Sequence, residues 1–194
     1  MKRLVVLLFG LLALSACETQ IERPTYAELT FTHKEPIYLD VARIDIVKAY
    51  QPTSAAPHVE MEFPVSPLDT AARWAQDRLK AVGTSGTATV TITEASAVET
   101  ELAQEGGLTG AFTTEQSERY DGTLAMAVEV FDPNGSNGNT FAEVKRSITV
   151  PEDASLNDRE RTWYSLTEKL ARDLDKRMSE NIRNHLSLFV RPGS

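Results

Sequence analysis

The chain has 194 residues, of which 28 are Asp or Glu and 20 are Lys or Arg, for a formal net charge of −8, with 41% apolar residues, 25% charged residues and a single cysteine. That acidic balance lacks the basic footprint that nucleic-acid binding requires, and one cysteine can make neither an internal disulfide nor a cysteine-based zinc site. The length and apolar content fit one globular domain with a sizeable core and not a disordered tail. The chain opens with Lys2 and Arg3 ahead of an uninterrupted apolar run over residues 4–14, the pattern of an export signal. At about 1.5 Å per residue the run crosses only about half of a ~30 Å hydrocarbon core, so it is too short for a permanent transmembrane helix.

The run ends in Leu14-Ser15-Ala16-Cys17. Small residues before a cysteine at this position resemble the lipobox of bacterial lipoproteins. The resemblance implies that residues 1–16 are a lipoprotein signal peptide cleaved before Cys17. It also implies that Cys17 is the lipidation site, with diacylglycerol on its sulfur and a further acyl chain, of the palmitate kind, on the new amino group. In lipoproteins of this kind an Asp after the cysteine often retains the protein at the inner membrane. Glu18 therefore favours the outer membrane, on its periplasmic face, with the inner membrane as the alternative.

Residues 17–35 are polar and interrupted by Pro24, with Pro36 just beyond; only Ala27, Leu29 and Phe31 alternate. They read as a lipid-anchored tether that ends in an optional short strand. A single domain is expected over residues 36–190. Ile37, Leu39 and Val41 alternate in one parity and Ile44 and Ile46 in the other, so a bulge near Ala42 and Arg43 would bring both sets to one face of one strand. Pro52, Pro57, Pro64 and Pro67 make the next stretch a surface loop. A helix follows, with Ser66 as N-cap, Pro67 at its first position, Asp69 in its first turn and Gly83 after its last apolar residue. Its expected inner face is Leu68, Ala72, Ala75, Leu79 and Val82, with Trp74 at the edge.

Ala88, Val90 and Ile92 alternate with threonines in a half-buried strand that reaches Glu94 or beyond. Tyr120, Leu124, Met126, Val128 and Val130 alternate in a second strand, and Ala142, Val144, Ile148 and Val150 in a third; the turn at Asp132-Pro133-Asn134-Gly135 joins these two as a hairpin. The last element is a long helix over about residues 156–188. Asn157 and Glu160 have capping-box spacing, and Trp163, Leu166, Leu170, Leu174, Met178, Ile182 and Leu186 form a stripe. A helix of ~50 Å is longer than a strand of ordinary length, so its distal part is expected to overhang the sheet or pack on a partner.

Few residues carry chemistry. His33, His58 and His185 lie far apart in sequence, no serine sits in a nucleophile elbow, and no glycine-rich segment joins a strand to a helix. The segment around Gly106, Gly107 and Gly110 reads as a flexible loop. Asp132, Asn134, Ser136 and Glu143 take the first, third, fifth and twelfth places of a calcium loop, but Asn137 stands where glycine is needed, so a plain hairpin connection is expected. Arg159, Arg161, Glu168, Lys169, Arg172, Asp173, Asp175, Lys176, Arg177 and Glu180 read mainly as a solvated helix face. Trp74 and Trp163 read as packing residues at the edge of the core.

The element order predicts an α+β fold, a two-layer sandwich whose mostly antiparallel sheet of four to five strands carries two helices on one face, the C-terminal one long. This order behind a lipobox is similar to small envelope lipoproteins, those of lipopolysaccharide assembly of the LptE type and the auxiliary lipoproteins of ABC-type transport of the PqiC type. The resemblance implies a non-enzymatic, lipid-anchored component of an envelope transport or assembly complex. Its expected contacts are the membrane through the acyl chains on Cys17 and an envelope protein, with a lipid as the ligand class left open. Neither a cofactor nor a metal is expected, and no catalytic residue is singled out. The alternative is a periplasmic ligand-binding lipoprotein or enzyme with a cleft near residues 106–119.

Overall fold

A computed structural model describes residues 24–103 and 116–192. The strands are β1 (Ile37–Leu39), β2 (Arg43–Lys48), β3 (Leu79–Ala81), β4 (Thr87–Glu101), β5 (Gln116–Phe131), β6 (Asn137–Pro151) and β7 (Val190–Arg191), and the helices are α1 (Pro67–Arg78) and α2 (Leu156–His185). The main sheet has the order β2-β4-β5-β6, with β2 parallel to β4 and the other neighbours antiparallel. A second, three-stranded sheet has the order β3-β1-β7. The α+β class, the two helices and the long C-terminal helix are as expected from the sequence, and the small second sheet is an addition to it.

Alternation sets the layers. Ala88, Val90 and Ile92 of β4, Leu124, Met126 and Val128 of β5, and Ala142 and Val144 of β6 are buried toward the helices. A bulge between Ile92 and Glu94 reverses the parity of β4, so that Ala95 and Ala97 continue the same inner face. On the other side of the sheet stand Thr87, Thr89 and Thr91, and the exposed rings of Phe131 and Phe141. That face has no helix over it.

Five expectations about the elements change. Residues 37–48 are not one bulged strand: Asp40 to Ala42 form a corner, where the Val41 amide donates to the Leu39 carbonyl (2.8 Å), and the chain leaves the small sheet for the main one. The helix that begins at Ser66 does so as expected, the Ser66 hydroxyl accepting from the Asp69 amide (3.2 Å), but it ends at Arg78. Leu79 to Ala81 pair instead with Ile37 to Leu39, a tertiary contact that overrides the continuing helical period and leaves Val82 exposed. Gly83 lies after that strand, where a Cβ would come within 2.6 Å of the Asp40 and Val41 backbone.

The capping box of α2 is Ser155 with Asp158, two residues ahead of the expected Asn157 and Glu160. The distal half of α2 does not overhang. Strands β4, β5 and β6 have 15, 16 and 15 residues, about 50 Å each, which exceeds the ~45 Å of a 30-residue helix. Met178, Ile182 and Leu186 are fully buried and Phe189 nearly so.

Residues 24–36 form no strand, so the optional fifth strand is absent from the main sheet. They run across the helical layer. The Tyr26 ring lies 5.2 Å from that of Tyr164, Glu28 pairs with Arg73 (2.8 Å), and Phe31 is buried with its amide donating to the Asp77 carboxylate (2.8 Å).

Candidate functional site

The end of the main sheet where β4 leaves and β5 returns brings several titratable groups together. Register places Glu99 opposite Tyr120 and Glu101 opposite Glu118, all on the helix side. Arg159, from the first turn of α2, forms an ion pair with Glu118, and the Tyr120 hydroxyl donates to the same carboxylate at 2.5 Å. Hydrogen bonding from Arg159 outweighs burial and holds the Glu118 carboxyl below its ordinary range, while Glu118 in turn raises Arg159. Glu99 goes the other way: burial, then the neighbouring Glu118 charge, push its carboxyl up. Behind Tyr120, the Trp163 ring meets it edge-on (5.7 Å) and stacks on Phe63 (5.5 Å). Glu99 also lines a cleft of about 360 Å³ with His58, Glu62 and Glu101. In chemical terms, this end sets a carboxyl that keeps its proton more readily, Glu99 in the cleft, beside one that gives it up, Glu118 on Arg159.

Beside the cleft, the proline-rich loop is tied down by Glu60. Its carboxylate accepts from the Tyr50 hydroxyl (2.7 Å) and from the amides of Thr53 (3.1 Å) and Ala97 (3.2 Å), and His58 Nδ1 lies 3.3 Å from it. Burial alone would raise this carboxyl; the donors outweigh it and hold it low. The loop seals the edge of β4 beyond the end of β2, with the Val59 amide on the Ala97 carbonyl and the Glu99 amide on that of Pro57, both at 2.9 Å.

A second buried network joins the helices. Asp175 accepts from Trp74 Nε1 (2.9 Å) and Arg78 Nε (2.8 Å), and Arg78 Nη2 donates to the Ser179 hydroxyl (3.0 Å). Asp175 is therefore not on a solvated face as expected: it is 8% exposed, on the buried stripe of α2. Trp74 is fully buried and not at an edge, because its ring N–H has this partner.

The other singled-out residues are dispersed. Cys17 lies outside the described residues, as do Gly106, Gly107 and Gly110. His33 lies within the segment of residues 24–36 that crosses the helical layer, His58 in the proline-rich loop and His185 at the end of α2. The turn at Asp132 joins β5 to β6 as a hairpin, as expected, with the Asp132 carboxylate accepting from the Asn134 amide (2.9 Å). Glu143 stands six residues into β6, about 20 Å along the strand, so the four calcium-loop positions do not converge. Among the described residues, no three His, Cys, Asp or Glu side chains are placed to hold a metal ion.

Glu60, Glu99, Glu118 and Tyr120 were not marked as site residues by the sequence. Glu99, Glu118 and Tyr120 are assembled by the β4–β5 register, and Glu60 by the loop that docks on β4. Asp175 did leave a signal, a carboxylate in step with Ala171, Met178 and Ile182.

No protein-family model matches the chain, and no curated protein matches it in sequence. Among solved structures it is similar to rare lipoprotein B from Shewanella oneidensis, at 12% identity and a TM-score of 0.40, over 73% of this chain and 97% of that one. It is also similar to a minor lipoprotein from Acinetobacter baumannii (9% identity, TM-score 0.41, 80% and 99% coverage). A third is an uncharacterized lipoprotein B from Nitrosomonas europaea (11% identity, TM-score 0.39, 84% and 97% coverage).

Proposed function

We propose that this chain is a non-enzymatic lipoprotein of the bacterial envelope, anchored through acyl chains on Cys17 and acting as a structural or auxiliary component of a transport or assembly complex. The observation that carries the reading is Leu14-Ser15-Ala16-Cys17 at the end of the apolar run, with no second cysteine to compete for another role. No described helix is long and apolar enough to cross a membrane. Attachment then rests on the acyl chains, each buried CH₂ contributing ~0.8 kcal/mol, so that two or three chains hold firmly where one does not. The use of the strongest polar groups supports a non-catalytic role: Glu60, Asp175 and Glu118 all accept from donors of this same chain and fasten loop to sheet, helix to helix and helix to sheet. Glu18 favours placement at the outer membrane.

A second reading, a ligand-binding or catalytic lipoprotein, has the raised Glu99 and its cleft in its favour. Labelled palmitate is expected to enter the wild-type chain and not Cys17→Ser, and cross-linking in intact cells is expected to recover a stoichiometric envelope protein with the labelled form. Equal labelling of both forms would overturn the anchor. Labelling without any cross-linked protein would leave the anchor standing and remove the assembly role.

A further inference from the structure

Strand β6 is an edge of the main sheet, and its 15 residues are a long row of backbone groups to leave at an edge. In the antiparallel ladder with β5, alternate residues turn their N–H and C=O outward. Three side chains one turn apart on α2 reach over this edge. Asp173 pairs with Arg146, Arg177 Nη1 donates to the outward carbonyl of Glu143 (2.9 Å), and Asn181 Nδ2 donates to that of Phe141 (2.7 Å). Their spacing of four residues matches the rise of the helix past the strand.

Side chains of the outward residues also select what could pair here. Glu143 and Lys145 stand on the open face and bond to each other at 2.7 Å. If two copies of β6 met antiparallel about an axis beside Val144, Glu143 of each would face Lys145 of the other, and Phe141 would face Ser147. Axes beside Glu143 or Lys145 stack like charges instead, which is destabilising. In the complementary register the second copy's Lys145 and Ser147 amides must donate to the Glu143 and Phe141 carbonyls. Those are the two carbonyls that Arg177 and Asn181 occupy.

We infer that Arg177 and Asn181 hold the β6 edge closed against a second copy of this chain, which would otherwise add its own β6 in the Glu143–Lys145 register. Sedimentation velocity of the full chain in density-matched detergent tests this. The wild type is expected to sediment as a monomer and Arg177→Ala/Asn181→Ala as a dimer. Two side-chain hydrogen bonds removed from competition should strengthen association about a hundredfold. Adding Lys145→Glu to that variant should restore the monomer, and the swap Glu143→Lys with Lys145→Glu should restore the dimer. A wild type that dimerises as tightly as the variant, or a folded variant that stays monomeric, would overturn the guard. A dimer indifferent to Lys145→Glu would overturn the register and with it the second copy as the fitted occupant. Should the double variant fail to fold, Asn181→Ala alone is followed by amide exchange: the Lys145 and Ser147 amides should gain protection as concentration rises, and no gain would overturn the inference.

Discussion

Asp175 takes a place on α2 where the stripe would admit a leucine, and it carries two donors with it, the Trp74 ring N–H and the Arg78 guanidinium. Removing it strands the guanidinium of Arg78, itself buried, without its carboxylate. Asp175→Ala is therefore expected to cost about 3–5 kcal/mol, the range for breaking one side of a buried ion pair, read from the denaturation midpoint of the full chain. Glu99 is the opposite case. Its raised pKa means that the fold disfavours its ionised form, so the cost is present at neutral pH and disappears as pH falls through the raised value. Glu99→Gln should then raise stability at neutral pH, and the gain over wild type should vanish on acidification; thermal melts across pH measure both. Glu118, held low, behaves in the reverse sense: its contribution is present above the ordinary carboxylate range and is lost as pH falls through its depressed value.

The stripe of α2 was legible because seven apolar residues recur at three or four positions and all seven are buried. Where that stripe ends on the sheet was not, because strand length is hard to read when one face is open: Thr, Asp and Lys fill the outer positions of β5 and β6, and alternation fades before the strands do. Leu79 and Val82 continue the period of α1, so its end at Arg78 could not be seen locally; the decision lies with Ile37, which pairs with Leu79. Gly122 in β5 shows the same kind of long-range cause, since a Cβ there would lie 2.7 Å from Leu170 Cδ1. It lets α2 approach the sheet closely. Because β6 supports the distal half of α2, Ile182→Ala should destabilise as much as Leu170→Ala, about 2–5 kcal/mol each by chemical denaturation. A loss below about 0.5 kcal/mol at Ile182 would mean that this half of the helix is held by something other than the core.

At the scale of the molecule, the helical layer is crossed by the strap of residues 24–35, the β4 edge is covered by the proline-rich loop, and the β6 edge is clasped by α2. None of these elements crosses the open face of the main sheet, where Phe131 and Phe141 are exposed. Composition and pattern reached the two layers; they could not reach the three-stranded sheet, whose strands are two or three residues long and lie far apart in the chain. That sheet bears on the order of folding. β7 closes on β1, the Asp40 amide donates to the Phe189 carbonyl (2.8 Å), and Arg191 pairs with Asp40 across 151 positions of chain. The β5–β6 hairpin closes a short turn, whereas joining β7 to β1 closes a loop of about 150 residues, a slower step that costs more entropy. β1 can pair with β3 early, since the two are about forty residues apart, so the contact of β7 with β1 is the one expected to complete the small sheet last.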